Sequence, residues 1–326
     1  MSLLVSATSI GVPQVSVLVV AFNSLEHIGL CLRSVFAAAG SLVIEVLLID
    51  NGVDGTASFV ARSFPEVTLI PSRGNIGFGA GNNELARHAR APLLLLLNPD
   101  MVVSPDAIAH LFALSRKQPD AAAWGGVTLS EDGSADVANH LRFPRLRDFP
   151  ARLAFQGDRA AAPERAIGSR DTPVELVTGG FVMISRAVWH ELCGFDERFF
   201  LYCEESDLFL RARKAGRVVW RTPRATAIHF TGSGNSLAAP RLLYQATGLS
   251  QFMHKHWPWP KAWAGVMLFW LIALERYLLG CLAGWFWRSA GRVGTAYRLV
   301  TLHPQRWMRG YASAYWVRRL GRGEVR

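Results

Sequence analysis

The sequence predicts an α/β protein whose mostly parallel sheet is covered by helices on both faces and followed by a helical C-terminal segment that associates with membranes. Short apolar runs alternate with segments of helical periodicity over the first hundred residues. The runs are mostly apolar, and Leu93–Leu97 is fully apolar, which is typical of parallel strands buried on both faces. Residues 257–326 differ in composition, because they combine long apolar stretches with arginine and tryptophan. These three observations define the predicted architecture.

Four strands and three helices are predicted in the first hundred residues. The strands cover Val15–Ala21, Val43–Ile49, Val67–Ile70 and Leu93–Leu97, and the helices cover Leu25–Ala39, Thr56–Ser63 and Ala80–Arg90. Residues 130–175 are polar, proline-containing and irregular, so they are interpreted as a long excursion. Regular patterns return in a strand at Phe181–Ile184, helices at Arg186–Leu192 and Glu204–Ala215, and closing strands at Val218–Trp220 and Ala225–Phe230. We expect one domain over residues 1–256 and a tail over residues 257–326.

Polar side chains follow the carboxyl ends of three predicted strands. Asn23 follows the first strand, Asp50 and Asn51 the second, and Asn98 and Asp100 the fourth. Ligands of such sheets bind beyond the carboxyl ends of the strands. On its own, the Asp100 carboxylate could hold a divalent cation, or it could simply cap the turn after its strand.

A glycine-rich run at residues 73–83 opens the third predicted helix. It holds four glycines in eleven residues, which allows close backbone approach to an anion at a helix N-terminus. It differs from the dinucleotide-binding fingerprint, because it follows the third strand and has another spacing. A flexible loop with a glycine-rich turn is the other interpretation.

Three carboxylates and one histidine form the remaining candidate groups. Glu204, Glu205 and Asp207 begin a predicted helix, where acids can serve as simple caps. Because an apolar segment precedes them, one of them could instead have a raised pKa that suits a general base. His229 lies between apolar neighbours, so it is either a core residue or a metal ligand beside a glycine- and serine-rich segment.

The charge of the chain is concentrated in the tail. The whole chain carries a net charge of +10, of which residues 257–326 supply +9 with 11 Lys/Arg and 2 Glu. The tail also contains eight of the eleven tryptophans. This composition favours a membrane interface, and the uncharged run Ala262–Leu274 argues against nucleic acid as the partner.

Two apolar stretches in the tail flank the Glu275-Arg276 pair. Together Ala262–Leu274 and Tyr277–Trp287 are long enough to span a bilayer. The central charges favour helices that lie in the interface, with a true span as the alternative. Residues 2–10 lack the positive charge of a signal peptide, and the four cysteines are scattered without a CxxC pair, so we expect the body to remain in a reducing cytosol.

Eight motifs in order give the most specific evidence. They are VVAFN at 19–23, LIDNG at 48–52, NIGFGAGNN at 75–83, LNPD at 97–100, VTGGF at 177–181, GFDERFFLY at 194–202, EESDL at 204–208 and HFTGS at 229–233. Over residues 14–255 this series resembles the inverting glycosyltransferases of family 2, and among them the bacterial rhamnosyltransferase-like group.

The resemblance implies a GT-A fold and a role for each matching residue. The resemblance implies that the nucleoside is contacted by Phe22, Asn23, Asp50 and Asn51, and that the donor pocket is lined by Asn75, Gly77, Gly81 and Asn82. It places Asn98 and Asp100 in the metal motif, with Asp100 and His229 holding Mg²⁺ or Mn²⁺, and puts Gly179 and Gly180 under the sugar or acceptor. It assigns the catalytic acidic group to Glu204, Glu205 and Asp207. Glu205 is the expected base. Relatives usually carry Asp at that position, and Asn98 replaces the first acid of the metal motif.

The implied function is transfer of a sugar from a nucleotide-diphosphate donor by single-displacement inversion. The subgroup suggests L-rhamnose from dTDP-rhamnose, and the tail suggests a lipid-linked saccharide acceptor at the cytoplasmic face of the bacterial inner membrane. Surface polysaccharide synthesis, such as that of O-antigen, would use this reaction. A catalytically silent relative that binds nucleotide sugar or acts as a scaffold is the alternative. A nucleotidyltransferase is disfavoured, because residues 22–25 are not a basic glycine-rich loop.

Overall fold

The computed structural model describes residues 11–136, 139, 142–150, 168–230, 239–284 and 287–313. Its body is a nine-stranded sheet with helices on both faces. The strands are β1 Val15–Ala21, β2 Ile44–Asp50, β3 Val67–Ile70, β4 Leu93–Leu97, β5 Met101–Val103, β6 Ala123–Leu129, β7 Thr172–Val174, β8 Phe181–Ser185 and β9 Val219–His229. The helices are α1 Ile28–Ala38, α2 Thr56–Ser63, α3 Phe78–His88, α4 Ala107–Lys117, α5 Arg186–Glu191, α6 Glu204–Lys214, α7 Ala239–His256, α8 Trp259–Gly284 and α9 Arg288–Leu302.

The strand order is β3-β2-β1-β4-β8-β6-β9-β5, and β7 pairs with the first residues of β9. Strands β1 to β4 pair in parallel, as the sequence predicts. Strand β8 lies antiparallel to both β4 and β6, while β6 and β9 are parallel, so the complete sheet is mixed. The predicted fold class is confirmed, and its parallel part is the N-terminal half.

Alternate residues of β1 show how the sheet is covered. Val17 and Val19 are fully buried in the cluster that contains the apolar side chains of α1 and α4. Leu18 and Val20 belong to the cluster on the opposite face, which includes α3 and α6. Burial on both faces explains why every residue of β1 except Ser16 is apolar, and the buried Ser16 hydroxyl donates to the Glu45 carboxylate at 2.6 Å.

The pairing brings the predicted site residues to one edge of the sheet. Leu97 at the end of β4 pairs with Phe181 at the start of β8. Because β6 and β9 run in the same direction as β4, the end of β9 at His229 lies at this edge too. The two predicted closing strands are a single strand, β9, and the sequence analysis did not identify β5, β6 or α4.

Parts of the predicted irregular excursion lie outside the described residues, namely 137–138, 140–141 and 151–167. The rest of the excursion contains a short 3-10 turn at Leu146–Asp148 and the strand β7. The glycine- and serine-rich segment after Phe230 also lies outside the described residues, as do residues 285–286 and 314–326.

The C-terminal helices form a third layer of the molecule. The two predicted apolar stretches are parts of one continuous helix, α8, which passes through Glu275 and Arg276. The most apolar 18-residue stretch of α8 has a mean hydropathy of 1.8, and 22% of it is buried. By length and composition, α8 could therefore cross a membrane. Helix α9 returns along α8 at close range, because a Cβ at Gly294 would lie 2.9 Å from the carbonyl carbon of Gly280.

Candidate active site

The loops after β1 and β2 are joined by a hydrogen bond at the edge of the sheet. The side-chain oxygen of Asn23 accepts a hydrogen bond from the Val53 N–H at 3.3 Å. The Asp50 carboxylate accepts from the N–H groups of Gly52 and Ala57, each at 2.9 Å. Asp50 therefore shapes the β2–α2 loop, whereas Phe22 beside it remains 52% exposed and available to a ligand.

Asn51 and Asn75 connect this loop to the glycine-rich loop. The Asn51 amide donates to the Gly77 carbonyl at 3.2 Å, and the Asn75 side-chain oxygen accepts from the Gly77 N–H at 3.1 Å. Gly77 has a φ of +90°, and a Cβ there would lie 2.5 Å from the Phe200 carbonyl oxygen. Only glycine fits this point, where the glycine-rich loop meets the segment that leads into α6.

Gly81 and Asn82 lie in the first turns of α3. A Cβ at Gly81 would lie 2.9 Å from Val20, so helix–strand packing explains this glycine without a ligand. Asn82 is buried, and its amide donates to the Phe78 carbonyl at 3.0 Å. Its side-chain oxygen has no partner within the described part of the chain, so Asn82 keeps a free acceptor beside the glycine-rich loop.

Asp100 and His229 come together as the resemblance implies. The His229 Nε2 atom lies 3.3 Å from an Asp100 carboxylate oxygen, and the other nitrogen of the ring is hydrogen-bonded to Asp136. Burial alone would lower the pKa of His229, but the hydrogen bonds with Asp100 and Asp136 raise it to about 9. The second Asp100 oxygen is buried and has no partner among the described residues.

Asp136 is a residue that the sequence analysis missed. It lies in the irregular segment after β6, where its N–H donates to the Thr128 carbonyl at 3.0 Å. A carboxylate on one ring nitrogen fixes the orientation of a histidine and directs the other nitrogen outward. No sequence pattern marks Asp136, because its contact with His229 depends on the pairing of β6 with β9.

Gly179 and Gly180 lie between the metal motif and α6. The Gly180 carbonyl accepts from the Asn98 N–H at 2.9 Å, and a Cβ at Gly180 would lie 2.8 Å from the Asn98 amide nitrogen. A Cβ at Gly179 would lie 3.3 Å from the Glu205 Cβ. This glycine pair therefore brings Glu205 next to Asn98 at the same edge of the sheet.

Glu204 and Glu205 have different surroundings. Glu204 is 4% exposed, and one of its carboxylate oxygens has no partner among the described residues. Burial and the neighbouring Glu205 charge raise the pKa of Glu204 well above its usual range. Burial also raises the pKa of Glu205, which is half-buried and accepts a hydrogen bond from the Ser206 hydroxyl at 3.3 Å. Glu205 is thus the more accessible member of the pair.

Asp207 lies apart from this pair in an ion cluster. Its fully buried carboxylate contacts Arg211 at 2.8 Å, His256 at 2.8 Å and also Lys255. Burial opposes ionisation, but hydrogen bonds from His256 and Lys255 and the charges of Arg211 and Lys255 hold the pKa of Asp207 below its usual range. These contacts give Asp207 a structural role in the packing of α6 on α7, so we do not count it among the groups that touch substrate.

Sequence comparison identifies the family. The model described as "Glycosyl transferase family 2" matches residues 16–191, more than half of the chain. An N-acetylglucosaminyl-diphospho-decaprenol L-rhamnosyltransferase of Mycobacterium tuberculosis is 29% identical over 222 residues, which cover 60% of this chain and 70% of the relative. Rhamnosyltransferase WbbL of Escherichia coli is 30% identical over 200 residues, covering 59% of this chain and 74% of WbbL.

Solved structures share the fold. A mannosyltransferase of Pyrobaculum calidifontis, solved with GDP-mannose and Mn²⁺, aligns with a TM-score of 0.55 at 19% identity and covers 96% of this chain and 88% of its own. GalNAc-T7, solved with UDP, GalNAc and Mn²⁺, aligns with a TM-score of 0.51 at 16% identity and covers 76% of this chain and 52% of its own. These alignments confirm the GT-A-like architecture. With the family match and the site geometry, they lead to one conclusion: the chain belongs to glycosyl transferase family 2 and is a glycosyltransferase.

Proposed function

We propose that the protein transfers L-rhamnose from dTDP-rhamnose to a lipid-linked saccharide, with inversion at the anomeric carbon, during synthesis of a cell-surface polysaccharide. Two relatives at about 30% identity are rhamnosyltransferases, and one of them is named for a decaprenol-linked acceptor. The observation that carries the proposal is the position of Glu205. It lies beside Gly179, on the same edge of the sheet as Asp100 and His229.

Glu205 has the properties of the general base. A carboxylate with a raised pKa accepts a proton more readily than one fully exposed to water. In the proposed reaction Glu205 takes the proton of the acceptor hydroxyl while the hydroxyl oxygen attacks the anomeric carbon. The nucleoside diphosphate leaves from the opposite face, so a single displacement inverts the configuration.

Asp100 and His229 fit a divalent cation. The buried free oxygen of Asp100 and the oriented Nε2 of His229 offer two hard or borderline donors side by side. The proton that the raised pKa of His229 favours on the ring would be displaced by a bound cation. Within the described residues no cluster of three or more His, Cys, Asp or Glu side chains could hold a metal, so phosphate oxygens of the donor would complete the coordination. When bound, Mg²⁺ or Mn²⁺ would stabilise the negative charge that develops on the leaving diphosphate.

The C-terminal helices supply the proposed contact with the membrane. Large apolar side chains of α8 remain exposed, namely Trp259, Met267, Leu271, Leu278, Leu279 and Leu282. Together with the +9 charge of residues 257–326, they suit the anionic cytoplasmic leaflet of the bacterial inner membrane. Because Glu275 and Arg276 interrupt the apolar surface, we favour an orientation of α8 in the plane of the interface over a span.

Transfer of labelled sugar tests the proposed function. Membranes that contain the full-length protein and the native lipid acceptor are incubated with radiolabelled dTDP-rhamnose, GDP-mannose or UDP-GlcNAc, with and without EDTA, and the label in the lipid fraction is counted. We expect label from dTDP-rhamnose only, loss of transfer with EDTA, and recovery with Mn²⁺ or Mg²⁺. Transfer from another donor alone would replace the rhamnose assignment. Absence of transfer from every donor would favour the silent relative.

A further inference from the structure

The catalytic helix α6 begins directly after a strained turn. Tyr202 and Cys203 both have a φ of +67°, in the left-handed region that residues with side chains rarely adopt. Two such residues in succession persist only where the surrounding structure holds them. Since Glu204 and Glu205 follow immediately, the position of the base depends on how firmly this turn is held.

Two contacts from the body of the protein hold the turn. On one side, the Phe200 carbonyl accepts from the Phe78 N–H at 3.0 Å, which joins the turn to the glycine-rich loop. On the other side, helix α7 approaches so closely at Gly248 that a Cβ there would collide with the Tyr202 carbonyl oxygen. Neither of these contacts gives Leu201, in the middle of the turn, a hydrogen bond.

The partner of Leu201 is Tyr311, in the short 3-10 turn that follows the C-terminal helices. Its hydroxyl accepts from the Leu201 N–H at 3.1 Å and donates to the Leu201 carbonyl oxygen. One side chain therefore satisfies both backbone polar groups of Leu201. The Tyr311 ring also lies 6.5 Å, centroid to centroid, from the Phe200 ring.

Tyr311 is itself fixed by α7. Its N–H donates to the Gln251 side-chain oxygen at 3.1 Å. Gly310, with a φ of +64°, brings the backbone so close to Gln251 that a Cβ would collide with that side chain. Trp307 just before it is fully buried, and its indole N–H donates to the Val300 carbonyl at 2.8 Å. The hydroxyl of Tyr311 is thus held at a defined place by the C-terminal helical layer.

We infer that Tyr311 is a positioning residue for sugar transfer: its hydroxyl holds the turn Phe199–Cys203 and thereby sets where the Glu205 carboxylate meets the acceptor hydroxyl. The inference rests on Glu205 being the base of the proposed function. It adds to the active site a residue from the C-terminal layer, far outside the family match at residues 16–191. The family-defining domain and the membrane-associating segment are then parts of one catalytic unit.

Steady-state kinetics of Tyr311→Phe in membrane vesicles test the inference, with the full-length chain and the donor that the wild type uses. The variant keeps the ring and loses both hydrogen bonds to Leu201. A small displacement of a catalytic group lowers the turnover strongly, so we expect kcat to fall roughly 10- to 100-fold. The KM for the donor should stay within about twofold, because the candidate donor contacts lie on the loops after β1, β2, β3 and β4 and before β8, and Tyr311 hydrogen-bonds to none of them.

Tyr277→Phe is the matched control. Tyr277 lies on α8, and its hydroxyl makes no hydrogen bond within the described part of the chain, so this variant should keep the wild-type kcat and KM. Gln251→Ala is the second test, because it removes the acceptor of the Tyr311 N–H and leaves the hydroxyl in place. We expect it to lower kcat less than Tyr311→Phe does, again with little change in KM. Melting temperatures of all variants are measured alongside.

The outcomes separate this inference from the proposed function. Wild-type kcat in Tyr311→Phe, or a rise in donor KM without a loss of kcat, overturns the positioning role and leaves the proposed function intact. If Tyr311→Phe does not fold, an unchanged kcat in Gln251→Ala overturns the role instead. A wild-type protein that transfers no sugar from any donor refutes the proposed function, and the inference falls with it.

Discussion

Replacing the two adjacent glutamates separately by glutamine should affect catalysis to very different degrees. Glu204 is 4% exposed and its pKa is raised well above the usual range, so we expect Glu204→Gln to exchange one neutral group for another of similar shape. Glu205→Gln removes the negative charge from the group that lies beside Gly179. The structure therefore predicts that only the second substitution removes the base.

The expected magnitudes follow from these surroundings. Loss of a general base lowers turnover about 10²- to 10⁴-fold, which corresponds to roughly 2.7–5.4 kcal/mol in activation free energy. For Glu204→Gln we expect a kcat within about threefold of the wild type, since the protonated carboxyl and the amide have similar size and no charge. Single-turnover transfer of labelled sugar at saturating donor measures both values.

The pH dependence provides an independent test of the same assignment. Burial raises the pKa of Glu205 above the usual 4.5, and the base must be ionised to accept a proton. Turnover should therefore fall on acidification through a midpoint above pH 4.5, and Glu204→Gln should keep such an acid limb. Equal losses in both variants, or a larger loss in Glu204→Gln, would refute the division of roles.

Three further substitutions test other parts of the structure. Asp207→Asn should lower the free energy of unfolding, measured with urea, by about 3–5 kcal/mol, because it leaves buried cations without their partner. Since the pKa of Asp207 is lowered in the fold, the difference from the wild type should be complete above about pH 4 and shrink below it. Asp136→Asn should weaken Mn²⁺ binding in the presence of nucleotide by about 10- to 100-fold in calorimetric titration, because His229 loses its orienting carboxylate; unchanged affinity would argue against His229 as a ligand. Gly180→Ala should weaken donor binding by about 1–3 kcal/mol, because the methyl group would press on Asn98, and a donor Kd equal to that of the wild type would contradict this role.

The sequence predicts the parallel half of the sheet well, because its strands are mostly buried and therefore mostly apolar. Strand β6 escapes prediction, because Gly125 and Gly126 interrupt its apolar pattern. The structure requires both, since a Cβ at Gly125 would lie 2.6 Å from Val177 and one at Gly126 would collide with Phe181. Such crowding depends on strand pairing and cannot be read from local composition.

Strand β9 is predicted as two strands for a related reason. Pro223 suggests a break between them, yet β9 continues through it from Val219 to His229. The register between β6 and β9 shifts at this point, between Gly125 and Val127, so the irregularity accommodates a residue without an N–H donor.

The candidate site divides in the same way. Asp100, His229 and Glu205 are predictable because they lie in motifs that follow strands or open a helix. Asp136 and Tyr311 lie in irregular segments, and their contacts join residues that are 93 and 110 positions apart. Asp207 shows the reverse case, since its place in an acidic motif suggests chemistry while its contacts with Lys255 and His256 indicate packing.

The attachment of the C-terminal layer to the turn before α6 has a practical consequence for obtaining a soluble form of the enzyme. Shortening the chain at residue 256, the predicted domain boundary, would discard Trp307 and Tyr311 and uncover the face of α7 that packs on α8. We expect such a shortened protein to lose turnover whatever the lipid environment. Polar replacements on the outward side of α8, at positions such as Leu278 and Leu282, would test the proposed contact with lipid and leave the contacts of Tyr311 in place.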